Sequence, residues 1–510
     1  MLDARRRRTT GVLAGLAVFS LIAALPARAQ DPLYLSAVNK FEYRRLDQEA
    51  VREDALRNRL EVTASQGIFT AWVRLEALSL SNAQTYDPYG FIADEDLTTK
   101  RVEESKVTRR QLSISTERLD AQVGDWSHIF GRGLALSVFE EEELNWDTRL
   151  DGARAELHGK VGDATLLAGT NEGNRFRGLF LEPNSWSSSN GLIDARAGVS
   201  FVEAWGAERN TDIGPREQHA GALGEVVVGP ATFYGEYVER DFVGKDGVGA
   251  ASPGHGTFAS GEVSLEGFSF AAEFREMLRF EHNYHDPPTT LRQHTWTLLN
   301  RVNGTVLSDI PDDDVQGGLF TAEYAVDAFT TFQASWARLI QDRGDDEFFE
   351  LFAEAKSNWQ EQVFGTLAAA ESELHIGNTF EERITKLGEA IFHLNEQNSA
   401  SFIVEWADVQ ESNAATQAFE YPKEYRDRIF ALTWGRSPWL TVTATVEDTT
   451  EDDPAEDKER WFNVLAELNL GGNDVSVSLG SERGGWKCTG GVCFFEPEFE
   501  GLKVKWTGRF

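Results

Sequence analysis

Sulfur is scarce in this chain of 510 residues, which has two cysteines and two methionines. Cys488 and Cys493 have no histidine beside them, so they do not complete a tetrahedral thiolate metal site. In an oxidising compartment two such near neighbours read instead as a disulfide stapling a loop tip. Long hydrophobic runs are missing too. After residue 29 no stretch of about 18 apolar residues occurs, which excludes a transmembrane helix. Positive charge is short: 49 Lys and Arg stand against 83 Asp and Glu, a formal net charge of −34. Phosphate would be repelled, so nucleic acid is excluded as a partner. Acidic loops at a lipopolysaccharide surface would instead attract divalent cations; the plain alternative is solvated loop charge. No Pro-rich or Ser-rich linker and no shift in composition divides the chain, which points to one large domain. There is no G-x-S-x-G, no H-E-x-x-H and no Gly-rich phosphate loop, so no familiar catalytic motif is present.

Residues 1–29 have the layout of a secretory signal peptide. Arg5 to Arg8 form a positive start, Gly11 to Leu25 an apolar stretch, and Ala27-Arg28-Ala29 a cleavage site ahead of Gln30. The remainder carries 33 Phe and 14 Trp in the whole-chain count, a palette suited to strands and interfacial girdles. It alternates repeatedly with period two. Phe268, Phe270, Ala272 and Phe274 interleave with Ser269, Ala271, Glu273 and Arg275. The same dyad recurs at 69–77, 233–238, 401–406, 440–447 and 462–468. Lipid on one face and water on the other demands this pattern. The final strand candidate places Leu502, Val504, Trp506 and Phe510 on one parity and Lys503, Lys505, Thr507 and Arg509 on the other. A terminal strand ending on Phe510 suits a barrel whose last strand pairs with its first, leaving no edge.

Connections alternate in length. Tight ones fall near 228–230, 266–267, 436–438 and 471–474; long polar ones near 80–104, 170–190, 282–313, 410–424 and 449–457. Short periplasmic turns and long extracellular loops are what an outer-membrane barrel shows. Trp434 and Trp439 flank one tight turn, where an aromatic belt would sit. The expectation is an all-β protein: one antiparallel transmembrane barrel over residues 30–510, with about 22–24 strands. Residues 47–60 fit a helix by pattern, and 380–395 are read as a strand.

The densest block of chemistry is Phe130-Gly131-Arg132-Gly133-Leu134, followed by Glu140, Glu141, Glu142 and Glu143, then Asp147, Arg149 and Asp151. Paired glycines allow positive φ or close backbone approach around Arg132. Four successive glutamates cannot face lipid. Opposed charges at this density suit a constriction on an inward segment near 128–151. The alternative is a network that only holds that segment against the wall. His282, His285 and Asp286 form the most ligand-like loop cluster, with a solvated loop as the plainer reading. Asp312-Asp313-Asp314 and Glu451-Asp452-Asp453 could attract Ca²⁺ but lack an EF-hand pattern. No other cofactor is expected.

Phe130-Gly131-Arg132-Gly133-Leu134, the acidic stretch and Leu150-Asp151-Gly152-Ala153-Arg154 resemble an uncharacterised family of bacterial outer-membrane barrels. The Cys-Thr-Gly-Gly-Val-Cys loop shares that likeness, and the final Phe510 resembles the signal read by barrel insertion machinery. A fainter similarity is to polysaccharide-export barrels and porins. The resemblance implies a barrel and supplies no substrate. The expected function is passive passage of small polar solutes or ions across the outer membrane. The alternatives are a plugged structural or adhesive barrel binding its partner through loops, a barrel enzyme, and a secreted soluble β protein. Expected partners are outer-membrane lipid, lipopolysaccharide and the insertion machinery.

Overall fold

A computed structural model describes residues 32–48, 51–82, 101–142, 146–171, 174–206, 216–243, 253–280, 290–310, 314–341, 346–359, 362–413, 423–452, 458–489 and 492–510. One antiparallel sheet holds 25 strands, of which 24 close into a barrel. The two-residue strand Trp186–Ser187 only extends the edge of Ile193–Gly206 at a turn. Closure comes from pairing the last strand, Phe499–Arg509, with the first, Tyr34–Gln48, from Val38↔Arg509 to Leu46↔Gly501. Phe510 completes the ladder: its N–H donates to the Ala37 carbonyl at 2.8 Å, and the Ala37 N–H donates to its carbonyl at 2.9 Å. With no free edge, each of the 24 barrel strands has a neighbour on both sides, which satisfies the backbone groups of the paired residues within the sheet.

The side-chain dyads sort by face. Phe268, Phe270 and Phe274 point outward and are exposed, whereas Glu273 and Arg275 turn inward. The polarity of a soluble protein is inverted: Leu367 on the outer face is 70% exposed, and Arg275 on the inner face is 1% exposed. Tyr34, Trp186, Phe329, Trp359, Phe392 and Trp439 are exposed beside the tight turns, forming an aromatic girdle on that rim.

Tight turns at 67–68, 229–230, 266–267, 437–439 and 470–472 lie on the rim that also holds Tyr34 and Phe510. The opposite rim carries the long connections. Three sequence expectations change. Residues 51–66 are strand rather than helix, because Ala55, Arg57, Arg59 and Glu61 alternate inward against Glu42 and Arg74. The 170–190 connection contains the strand Asn174–Pro183, paired on both sides. The 282–313 connection contains a helix, α1 (Thr297–Asp309).

A circular barrel of this strand number would be on the order of 45 Å across at the backbone. Wall side chains cannot fill such a lumen. Chain entering from the long-loop rim does part of that filling.

Candidate functional site

Trp126 ends one wall strand, and Leu150 resumes directly opposite it. The intervening residues 127–149 therefore leave and rejoin the wall at one point. They fold as two small hairpins, His128–Phe130 against Leu136–Val138 and Glu140–Glu141 against Trp146–Asp147. Leu134, Ala135, Leu136 and Val138 are fully buried against Phe176, Val202, Val238, Phe258 and Met277 of the inner wall. Each such Leu or Val stabilises the docked state by about 1.5–3 kcal/mol. Apolar wall residues on the lumen face thus exist to receive this insert.

The insert tip is the Gly131-Arg132-Gly133 turn. Both glycines have positive φ, +58° and +102°. The Arg132 N–H donates to the Glu236 carboxylate at 2.7 Å, and the Tyr234 hydroxyl donates to the same oxygen at 2.6 Å. A Cβ on Gly131 would stand 2.5 Å from that oxygen. The turn is thus seated directly on a buried carboxylate. The Arg132 guanidinium lies over the Tyr234 ring, 5.3 Å from its centroid.

Across the lumen the acidic stretch meets the first strands. Glu140 and Glu142 share a face and both accept from Arg74, Glu142 at 2.7 Å. Arg74 also donates to Glu61 at 2.8 Å and is only 4% exposed. Lys40 pairs with Glu142, and Arg59 stands 3.9 Å from it. Arg149 reaches Glu140 at 2.8 Å and Asp147 at 3.0 Å, and Arg109 joins Asp147 to Asp125. Lys40, Arg59, Arg74, Arg109 and Arg149 balance Glu61, Asp125, Glu140, Glu142 and Asp147. Burial alone would raise the Glu142 carboxyl; the Lys40 hydrogen bond and the charges of Arg59, Lys40 and Arg74 outweigh it and hold it below the ordinary range. His128 behaves oppositely: burial, with the Arg154 charge beside it, pushes its imidazole down to about 4. Arg154 donates to the His128 Nδ1 at 2.9 Å, which suits a neutral ring.

A second insert packs on another part of the inner wall. The first helical residues of α1 have no side-chain cap of their own. Glu405 of the wall supplies one, accepting from the Thr297 N–H at 3.1 Å and the Leu298 N–H at 2.8 Å. A carboxylate is favoured there by the helix dipole. His294 contacts Glu350 at 2.9 Å, and Arg301 grips Glu447 through both nitrogens. A third insert, the hairpin Gly485–Thr489 with Val492–Glu496, leans on the helix so closely that a Cβ on Gly304 would lie 2.1 Å from the Trp486 Cβ. Glu496 ties this hairpin to the wall through Arg44 at 3.2 Å and Lys503 at 3.3 Å.

Of the residues singled out in sequence, Glu140, Glu142, Asp147 and Arg149 come together in one network. Arg132 does not join it and sits at the far tip on Tyr234. Glu141 has the opposite parity from Glu140 and Glu142 within its short strand. Asp151 belongs to the strand Leu150–His158 and faces outward, 3.7 Å from Arg110. Glu143, His282, His285, Asp286, Asp312 and Asp313 lie outside the described residues. Asp314 accepts from the Arg279 N–H at 2.9 Å, and Glu451 is held by Lys423 and Arg483. Cys488 and Cys493 are direct register partners across their hairpin. Opposed residues of an antiparallel pair lie within the Cα separation that a disulfide spans.

Sequence reasoning missed Glu236, Glu405, Arg74 and the helix. The spacing of Leu298, Leu299, Val302, Val306 and Ile310 is a helical signal inside a polar loop. Nothing local marks which wall carboxylates meet the inserts. Glu156, His158 and Asp163, near the tight-turn mouth, also went unnoticed; each offers an atom within 4.8 Å of the others.

Among solved structures, the chain is similar to the translocation pore of the P pilus usher PapC, at 9% identity and TM-score 0.47, covering 93% of this chain and 99% of that one. It is also similar to the siderophore receptor PirA from Pseudomonas aeruginosa, at 10% identity and TM-score 0.46, covering 95% and 81%. The outer-membrane transporter YddB from Escherichia coli aligns at 8% identity and TM-score 0.44, covering 95% and 81%. No curated protein matches. A family model described as a family of unknown function matches residues 36–302 and 410–510.

Proposed function

The chain belongs to the family of unknown function DUF6029, and from its own geometry we propose that it is an outer-membrane channel for small polar solutes or ions, narrowed by its inserts. The observation that carries this reading is the inverted barrel: an apolar outer face with an aromatic girdle on one rim, around a lumen lined with charge. Such a surface is stable only in a bilayer. In this reading the tight turns and both ends of the barrel are periplasmic, the long loops are extracellular, and residues 1–29 direct export. Barrels of 16–18 strands already hold an aqueous channel. A wider one needs filling to exclude large molecules, which the segment 127–149, α1 and the 485–496 hairpin supply.

The opposed charges at the narrowing neutralise one another, so chain acidity does not translate into cation preference there. Single-channel recording in a planar bilayer under a KCl gradient tests this. Discrete openings with a reversal potential near zero are expected. Arg74→Met should raise conductance by freeing the acidic arm and should shift the reversal potential in the cation-selective direction. A second reading, a plugged structural barrel, is favoured by the depth at which Arg74, Glu350 and Glu405 anchor the inserts. It predicts silence from folded wild-type protein and from Arg74→Met alike.

A further inference from the structure

A cavity of about 250 Å³ runs along the inner wall beneath the tip of the 127–149 insert, on the tight-turn side. We infer that it binds a short peptide with free ends, its amine on Glu156 and Asp163 and its carboxylate on Arg132. This rests on the channel reading only for how such a solute arrives.

The lining is segregated along its length. Glu156 and Asp163 lie at one end, on the strands Leu150–His158 and Gly162–Asn171. Between them Phe180 and Leu223 share the wall with Thr165 and with Glu182 and Arg196, which stand 3.9 Å apart. Arg132 closes the other end, stacked on Tyr234 of the strand Ala231–Val243. The insert tip brings the two ends closer than the wall does. His128 meets Arg154 at 2.9 Å, and Arg154 meets Glu156 at 3.2 Å. Arg132 is four residues past His128, at most about 14 Å of chain, so three extended residues of about 10 Å with a contact at each end bridge the gap.

Arg132 is exposed to the cavity, and among the described residues no carboxylate lies within ion-pair distance of its guanidinium. The nearby cation Arg196 is already taken, bidentate to Glu225 at 3.0 Å. His128, also at the wall of the cavity, is held neutral by its surroundings. Arg132 is thus the available anion anchor. Glu156 keeps an Arg154 contact at 3.2 Å and Asp163 a His158 contact at 3.3 Å. A carboxylate offers about four acceptor sites, so both can still receive an ammonium group. Glu182 in the middle is offset by Arg196, so the ligand body there carries no net charge. Amine at one end, carboxylate at the other and a polar, neutral body between them is the chemistry of a short peptide, whereas a simple anion or cation would use one end only.

Isothermal titration of triglycine into the refolded, full-length protein in detergent tests the assignment. Binding is expected, weakened at least about tenfold by Arg132→Gln, which keeps the backbone contact to Glu236 but removes the guanidinium. N-acetyl-triglycine and triglycine amide should each bind more weakly than the free-ended peptide. Failure of triglycine to bind, equal binding by folded Arg132→Gln, or equal binding of the end-blocked probes would overturn the assignment. The blocked probes decide on wild-type protein alone should the variant misfold. Binding does not depend on conductance: a silent channel that binds triglycine removes the channel reading and leaves this one, and a conducting channel that binds none does the reverse.

Discussion

Gly131 carries two constraints at once: a φ of +58° and a carboxylate oxygen 2.5 Å from where a Cβ would stand. Gly131→Ala should therefore cost at least about 1–3 kcal/mol of insert docking, measured as faster proteolysis within 127–149 while the barrel stays folded. His128 gives the insert a pH dependence. In the undocked insert its pKa is near the ordinary 6.5 and in the docked one about 4. The undocked form therefore takes up the proton first, and docking weakens as pH falls from 6.5 towards 4, with no further loss from this group below that. Glu142 runs later: its lowered pKa keeps the Lys40 and Arg74 contacts charged until pH drops below the usual carboxylate value of 4.5. Protection factors of the 128–138 amides, measured against intrinsic exchange rates at each pH, should fall between about pH 6.5 and 4, and His128→Gln should flatten that response.

At the scale of elements, α1 depends on a cap it does not carry. Glu405 stands on a wall strand more than one hundred residues away and accepts both N-terminal amides. Glu405→Gln keeps the shape but removes the charge that favours the helix N-terminus, so about 1–2 kcal/mol of helix docking should be lost. Faster amide exchange across 297–309, with unchanged exchange in the wall strands, is the expected signature. The 485–496 hairpin shares this packing through Trp486. We propose that Cys488 and Cys493 are joined across it, as their register permits. Non-reducing alkylation should then leave both unlabelled, and labelling of either thiol would refute the bridge.

For the whole molecule, closure and filling are separable. The wall ladder runs unbroken from Tyr34–Gln48 round to Phe499–Arg509 without help from the inserts. Replacing 128–149 by a short turn should leave a barrel that still runs folded on detergent gels until boiled. Its conductance should rise severalfold, because the wall residues that received the insert would then line open water. Loss of the heat-dependent band shift would mean that the insert is part of the folding core.

The sequence by itself determined the barrel, a range of about 22–24 strands and the facing of the side chains, because period-two alternation records which side of a strand meets lipid and which meets water. It also marked the Gly131-Arg132-Gly133 turn and the acidic arm, since positive φ and clustered charge leave local traces. It hid α1, whose apolar stripe is interrupted by Arg301, Asn303 and Gly304 and lies inside a polar connection. Only the tertiary structure decided which charges meet. Lys40 reaches Glu142, Arg132 reaches Glu236 and Arg301 reaches Glu447 across 102 to 146 positions of chain. Those distances are set by how many strands stand between the partners and how far each insert hangs into the lumen. Glu405 reads as one more inward-facing glutamate until the barrel closes and brings a helix end to it.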